Sequence, residues 1–131
     1  MGDPICVLVA DDDATFAATL VAFLSALSRK VKVVGRAANG RAALDLALSL
    51  QPDVVLMDIE MPVLDGIEAT REIRRAGLGC VVIALSGSDY QERALEARYA
   101  GAVDYVRKSR LHEDLEPAIE AALQLDGASA A

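Results

Sequence analysis

Apolar runs alternate with amphipathic stretches along the whole chain. We predict strands at four such runs, which span residues 5–10, 31–35, 54–57 and 81–85, and a shorter strand at residues 104–107. Apolar runs without a polar break are typical of parallel strands that are covered on both faces. Between them, apolar residues recur at every third or fourth position, as in the series Phe16, Leu20, Phe23, Leu24 and Leu27. This spacing predicts helices, so that strands and helices alternate.

Five helices are predicted, and polar residues mark where several of them begin. A side-chain oxygen at the position before a helix accepts a hydrogen bond from the first free backbone N–H groups. Such residues stand at Asp13, Asn39, Asp65 and Asp89. Glu68 completes a capping box with Asp65, and Gly77 is predicted to end the third helix. Pro117 is expected in the first turn of the fifth helix, where its missing N–H is harmless.

The alternation of strands and helices predicts an α/β fold with a parallel sheet and right-handed crossovers. The expected architecture is a flavodoxin-like (βα)5 three-layer sandwich with a five-stranded sheet. We expect one domain over residues 1–125, followed by a short C-terminal tail at 126–131. In folds of this kind, functional residues gather beyond the carboxyl ends of the strands.

Polar residues stand at four of the predicted strand ends. They are Asp11, Asp12, Asp13, Asp58, Ser86 and Lys108. Carboxylates that are packed together repel one another, and a hard divalent cation relieves that repulsion. Mg2+ is favoured because it is commonly held by one or two carboxylates and a phosphate. Lys108 would add a fixed positive charge and Ser86 a hydrogen-bond donor, so the set predicts a site for a phosphoryl group.

Each of these residues also has an ordinary structural interpretation. The three consecutive aspartates would serve equally well as a helix cap that compensates the helix dipole. Asp58 would suit a turn before Pro62, and Ser86 and Lys108 would suit solvated loops. We favour a shared site because the residues fall on four strand ends of one predicted sheet.

Composition narrows the classes of function further. The chain has 131 residues, a formal net charge of −7 and no Trp, so neither a basic surface nor aromatic stacking favours direct binding of nucleic acid. The N-terminus lacks a signal peptide pattern, and no apolar run is long enough for a membrane span, so we expect a cytoplasmic protein. Cys6 and Cys80 are interpreted as buried thiols, too far apart for a disulfide because the third strand is expected between them.

The motif that follows the third strand is the most specific signal in the chain. Residues 54–66 read VVLMDIEMPVLDG, and they are supported by the acidic residues after the first strand, by Ser86-Gly87 and by the segment from Gly101 to Lys108. Together they resemble the receiver domain of bacterial two-component response regulators. The resemblance covers nearly the whole chain, from Ile5 to Leu125.

The resemblance implies a role for each acidic residue. Asp58 would be the phosphoacceptor, taking a phosphoryl group from the phosphohistidine of a sensor histidine kinase or a phosphotransfer protein. Asp11 and Asp12 would hold Mg2+ together with Asp58 and the backbone carbonyl of Glu60. Asp13 would remain the helix cap.

The resemblance also implies a conformational switch. Lys108 would contact the phosphoryl oxygens, and Ser86 would do so after phosphorylation. Tyr105 would then move from an exposed to a buried position. The surface of the fourth helix, fifth strand and fifth helix would act on a downstream effector protein, or on an output domain outside this chain; a phosphorylation-dependent homodimer remains open.

Two alternatives accompany this interpretation. A pseudo-receiver that is never phosphorylated would lack the acceptor, a metal ligand or the lysine, and none of these is missing. A phosphatase with an Asp nucleophile, as in the haloacid dehalogenase superfamily, would have Asp where Glu60 stands. We therefore expect a signalling module and not an independent enzyme.

The chain departs from the family pattern at Ser109, since the family often has Pro after the lysine.

Overall fold

Five strands and five α-helices alternate in the structure, a computed structural model that describes residues 3–27, 30–87 and 91–130. The strands are β1 (Ile5–Ala10), β2 (Val31–Ala37), β3 (Val54–Asp58), β4 (Val81–Ser86) and β5 (Asp104–Arg107). The helices are α1 (Ala14–Ser25), α2 (Gly40–Leu50), α3 (Gly66–Arg75), α4 (Gln91–Ala100) and α5 (Leu111–Ala130). A short 3-10 helix, Lys108–Arg110, joins β5 to α5.

All five strands are parallel and lie in the order β2-β1-β3-β4-β5. The central strand β3 pairs with β1 on one side and with β4 on the other, so that Leu56 lies between Val9 and Ile83. The carboxyl ends of β1, β3 and β4 are therefore neighbours. The predicted parallel sheet is confirmed.

Alternate residues of each strand enter two separate cores. Val55 and Met57 of β3 pack under α2, α3 and α4, whereas Val54 and Leu56 pack under α1 and α5. All four side chains are fully buried. The period of two along the strand thus builds one apolar layer on each face of the sheet, and the predicted three-layer sandwich is confirmed.

Three of the four predicted helix caps are present. Asp13 accepts hydrogen bonds from the N–H groups of Thr15 and Phe16, at 3.0 and 3.2 Å. Asn39 and Asp65 each accept one from the backbone N–H three residues further on, at 2.8 and 2.9 Å. The predicted cap at Asp89 lies outside the described residues. Gly77 follows the end of α3 with a φ of 72°, the left-handed conformation that glycine adopts readily.

The fifth helix differs from the prediction at both ends. The 3-10 helix begins at the end of β5, and α5 starts so early that Pro117 lies beyond its first turn. At that position a proline removes the backbone hydrogen bond to Glu113, and because both residues are exposed, water can reach the freed carbonyl. The helix also continues through residues 126–130, where we predict a tail.

Both cysteines are free thiols, and β3 lies between their strands. Cys80, next to β4, is buried, whereas Cys6 on β1 is half-buried. In the described parts of the chain, no helix has the length and apolar character that a membrane span requires.

Candidate acidic site at the carboxyl edge of the sheet

Three carboxylates meet where β1 and β3 end. Asp11 follows β1 and is fully buried, and Asp58 is the last residue of β3 and is 4% exposed. Asp12 is exposed beside them. One carboxylate oxygen of each residue lies within 4.8 Å of the others, so the predicted convergence of these aspartates is confirmed.

Lys108 enters the same cluster from the end of β5. Its Nζ lies 2.7 Å from Oδ2 of Asp11 and 3.4 Å from Oδ2 of Asp58. The ammonium also lies 4.4 Å from the centroid of the Phe16 ring. The lysine side chain is only 19% exposed, so one cation is shared between two buried carboxylates.

Asp11 and Asp58 are held in the same way. Oδ1 of Asp11 accepts a hydrogen bond from the N–H of Asp13 at 2.8 Å, and Oδ1 of Asp58 accepts one from the N–H of Glu60 at 3.0 Å. In both residues the other oxygen faces Lys108. Each carboxylate is thus fixed by the loop that follows its own strand, and its orientation is set before any ligand arrives.

Burial raises the pKa of Asp58 to about 6, and the negative charge of Asp11 acts in the same direction. The N–H of Glu60 and the ammonium of Lys108 oppose this rise. For Lys108, burial acts to lower the pKa, but the hydrogen bond to Asp11 and the charges of both carboxylates outweigh it and raise the pKa. Lys108 is therefore charged at neutral pH, and Asp58 is mainly a carboxylate.

Two glycines shape the loop between β3 and α3. A Cβ on Gly66 would overlap the backbone carbonyl of Asp58, and a Cβ on Gly40 would overlap that of Leu64. The N–H of Gly66 also donates to the carbonyl of Ile59 at 3.1 Å. The starts of α2 and α3 can approach the loop this closely only because both residues lack a side chain.

Ser86 and Tyr105 lie on the strands beside the cluster. Ser86, the last residue of β4, is fully buried and pairs in register with Arg107 of β5. Tyr105 is half-buried and packs against the core under α2, α3 and α4. Its predicted movement and the predicted role of Ser86 stay predictions, as does the metal-binding role of the Glu60 carbonyl. Around Ser109, none of the described peptide bonds is cis.

Sequence reasoning missed two contacts at this site. Phe16 is predicted only as part of the apolar face of α1, yet its ring lies against Lys108. Arg36 of β2 donates from Nη2 to the backbone carbonyl of Asp11 at 3.2 Å. Phe16 stands in the first turn after the acidic loop, and this position is the one signal in the sequence that it faces the strand ends. Nothing in the pattern of apolar and polar residues indicates that Arg36 contacts the carbonyl of Asp11.

Comparison with known proteins agrees with this geometry. The family described as the response regulator receiver domain matches residues 7–120. Among curated relatives, a protein-glutamate methylesterase/protein-glutamine glutaminase of Hahella chejuensis is 40% identical, over 95% of this chain and 35% of the relative. A protein of the same description from Methanosarcina acetivorans is 37% identical, over 82% of this chain and 31% of the relative. The chain therefore spans about a third of the length of these relatives.

Solved structures give the same result. The response regulator domain of Thermotoga maritima CheB is 33% identical, with a TM-score of 0.85, over 93% of this chain and 98% of that one. The signal receiver domain of NarL from Mycobacterium tuberculosis is 34% identical, with a TM-score of 0.84, over 92% and 98%. This chain therefore belongs to the response regulator receiver domain family, the signalling module of two-component systems.

Proposed function

We propose that this chain receives a phosphoryl group on the Asp58 carboxylate from a phosphohistidine of a sensor histidine kinase or phosphotransfer protein, in the cytoplasm. A carboxylate oxygen of Asp58 would attack phosphorus, the P–N bond would break, and the imidazole would leave. The observation that carries the proposal is the shared ammonium of Lys108 between Asp11 and Asp58, at a cluster where Asp12 adds a third carboxylate.

The acidic cluster fits Mg2+. All its donors are carboxylate oxygens, which are the ligands that Mg2+ prefers, and they lie within 4.8 Å of one another. Asp11, Asp12 and Asp58 would hold the ion together with the backbone carbonyl of Glu60. Because Asp12 is exposed, the ion would enter the cluster from solvent on that side. When bound, Mg2+ supplies positive charge that neutralises phosphoryl oxygens.

The residues of the chain divide the remaining work. Asp58 presents a carboxylate whose orientation is fixed by the N–H of Glu60. Lys108 places a second positive charge 3.4 Å from Oδ2 of Asp58, beside the position that the phosphoryl group would take. Ser86, buried at the end of the neighbouring strand β4, would contact a phosphoryl oxygen once the group is in place.

The output surface proposed is formed by α4, β5 and α5. A groove of about 290 Å³ between β5 and α5 is lined by Tyr105 and Pro117 among others, and Leu95 and Tyr99 of α4 are exposed. Movement of Tyr105 would change this surface for a downstream effector protein, an output domain or a second copy of the chain. The relatives are named for methylesterase and glutaminase activities. We do not propose these activities for this chain, which spans only about a third of their length.

Phosphorylation can be tested by intact-mass spectrometry after incubation with acetyl phosphate, with and without Mg2+. We expect one added phosphoryl group that requires Mg2+ and is lost in Asp58→Asn. The matched control is Asp53→Asn, which changes the exposed aspartate at the other end of β3 and should leave the adduct intact.

An adduct that persists in Asp58→Asn would show that another residue is the acceptor. With no adduct in the wild type, a beryllofluoride complex should be sought, because an acyl phosphate can hydrolyse before it is observed. Failure of both would support a pseudo-receiver, although among the described residues the acceptor, the acidic cluster and the lysine all lie together.

A further inference from the structure

We propose that Phe16 is a positioning residue that keeps the ammonium of Lys108 in the acidic site through the face of its ring; the inference rests on the proposed phosphoacceptor function. Nζ of Lys108 lies 4.4 Å from the ring centroid, well inside the distance of about 6 Å at which cations are attracted to aromatic faces. Because the lysine side chain is only 19% exposed, water screens this attraction weakly.

The position of the Phe16 ring is set by the acidic loop itself. Oδ1 of Asp13 accepts the N–H of Phe16 at 3.2 Å, and the N–H of Asp13 in turn donates to Oδ1 of Asp11 at 2.8 Å. A continuous series of hydrogen bonds therefore joins the carboxylate of Asp11 to the backbone of Phe16. The loop that presents the carboxylates thus also fixes the start of the helix that carries the ring.

The ring contact differs in kind from the other contacts of Lys108. The ion pairs with Asp11 and Asp58 use the same carboxylates that the phosphoryl group and a divalent cation need. Phosphorylation of Asp58 therefore changes the partners of the ammonium. The Phe16 ring binds neither the divalent cation nor the phosphoryl group. It can therefore hold the ammonium in place while Lys108 exchanges a carboxylate oxygen for a phosphoryl oxygen.

Phe23 offers a matched control on the same helix. Like Phe16, it is half-buried and packs against the core under α1 and α5. Its ring, however, packs edge-to-face on His112, with the centroids 5.0 Å apart. Phe16→Leu and Phe23→Leu thus remove similar apolar surface from α1, and only the first removes the ring from Lys108.

The decisive measurement is the rate of phosphorylation of these variants by acetyl phosphate in saturating Mg2+. We expect Phe16→Leu to slow it by a factor of about 3 to 30, the range that corresponds to one partly buried cation–π contact. Phe16→Tyr keeps an aromatic face and should restore most of the rate, whereas Phe23→Leu should leave it unchanged. Equal slowing in both leucine variants would overturn the proposal, since it would indicate a general effect on α1.

A double-mutant cycle separates positioning of the lysine from any other role of the ring. In the Lys108→Ala background, Phe16→Leu should cause no further slowing. A full additional loss there would show that Phe16 does not act through Lys108. A wild type that forms neither an adduct nor a beryllofluoride complex would instead overturn the proposed function, so the two failures are distinct.

The geometry can also be tested without metal or phosphodonor. An aromatic face above the ammonium shifts the NMR signals of the neighbouring Lys108 Cε protons upfield. This shift should be present in the wild type and Phe16→Tyr and lost in Phe16→Leu. The same chemical shift in all three proteins would mean that the ring does not lie over the lysine.

Discussion

The strand β3 has an aspartate at each end, and the two have opposite environments. Asp58 at the carboxyl edge is 4% exposed and shares an ammonium with Asp11. Asp53 at the amino edge is exposed; its Oδ2 accepts the N–H of Cys6 at 2.8 Å, and its own N–H donates to the carbonyl of Cys6 at 2.8 Å. Asp53 thus completes the backbone pairing of the sheet, whereas Asp58 has been withdrawn from water.

The amino edge also has a hollow. A groove of about 360 Å³ lies between residues 51–53 and 77–80, yet its carboxylate is exposed and hydrogen-bonded to backbone. At the carboxyl edge, two buried carboxylates lie instead beside a third carboxylate and a lysine that is only 19% exposed. The comparison teaches that the presence of a hollow does not by itself identify the functional edge of this sheet, whereas charge held away from water does.

The largest effect that separates the two edges should come from a single added methyl group. Gly66→Ala places a Cβ against the carbonyl of Asp58, so α3 has to move away from β3, at a cost of about 3 kcal/mol in the free energy of unfolding. At Gly79, beside the amino edge, a Cβ would meet nothing within 4 Å, and Gly79→Ala should change stability by less than about 0.5 kcal/mol. Urea denaturation of both variants measures the difference, and similar values would contradict the tight packing described at Asp58.

An intermediate effect is expected from loss of the shared cation. Lys108→Ala leaves Asp11 and Asp58 without their ammonium, and we expect a loss of about 2 kcal/mol in stability in the absence of divalent cations. This lies below the cost for a fully enclosed pair, because Lys108 is 19% exposed. Asp53→Ala, which removes one hydrogen bond at the other edge, should cost about 1 kcal/mol. Equal losses in urea denaturation would remove the energetic distinction between the edges.

The smallest effect concerns Cys80, a wall residue of the groove at the amino edge. Burial raises the pKa of its thiol above the ordinary value of 9.0. A raised pKa means less thiolate at any given pH, so alkylation of Cys80 by iodoacetamide should be slower in the folded protein than in urea and should still increase above pH 9. Peptide mass spectrometry measures this rate, while circular dichroism checks that the fold persists. Equal rates in both states would show that the groove leaves the sulfur accessible.

The layers of the fold are predictable from the sequence, because short apolar runs that alternate with amphipathic helical stretches are typical of parallel strands buried on both faces. Strand ends were less accurate: β2 extends to Ala37, two residues beyond the predicted end, and Asp58 and Ser86 belong to strands. They pair with Leu85 and Arg107, and such pairing depends on neighbouring strands that the local sequence does not contain.

At the site, the sequence indicated which residues converge but not how they touch. The carboxylates and Lys108 were predictable because the topology of a parallel sheet brings strand ends together. The contacts of Gly66 with Asp58 and of Phe16 with Lys108 were not, because each depends on how a helix packs on the sheet. The prediction that Pro117 lies in the first turn of α5 is wrong for a similar reason. No local signal shows that the helical turns begin as soon as β5 ends.

That immediate transition has a mechanical consequence. Lys108 is both the cation of the acidic site and the first residue of the 3-10 helix, which continues into α5 without an intervening loop. A helix of this length extends about 30 Å from its start. The backbone that carries the ammonium is therefore continuous with this helix, and because Pro117 interrupts the hydrogen bonding of α5, a rotation at Lys108 would act first on the turns that precede Pro117.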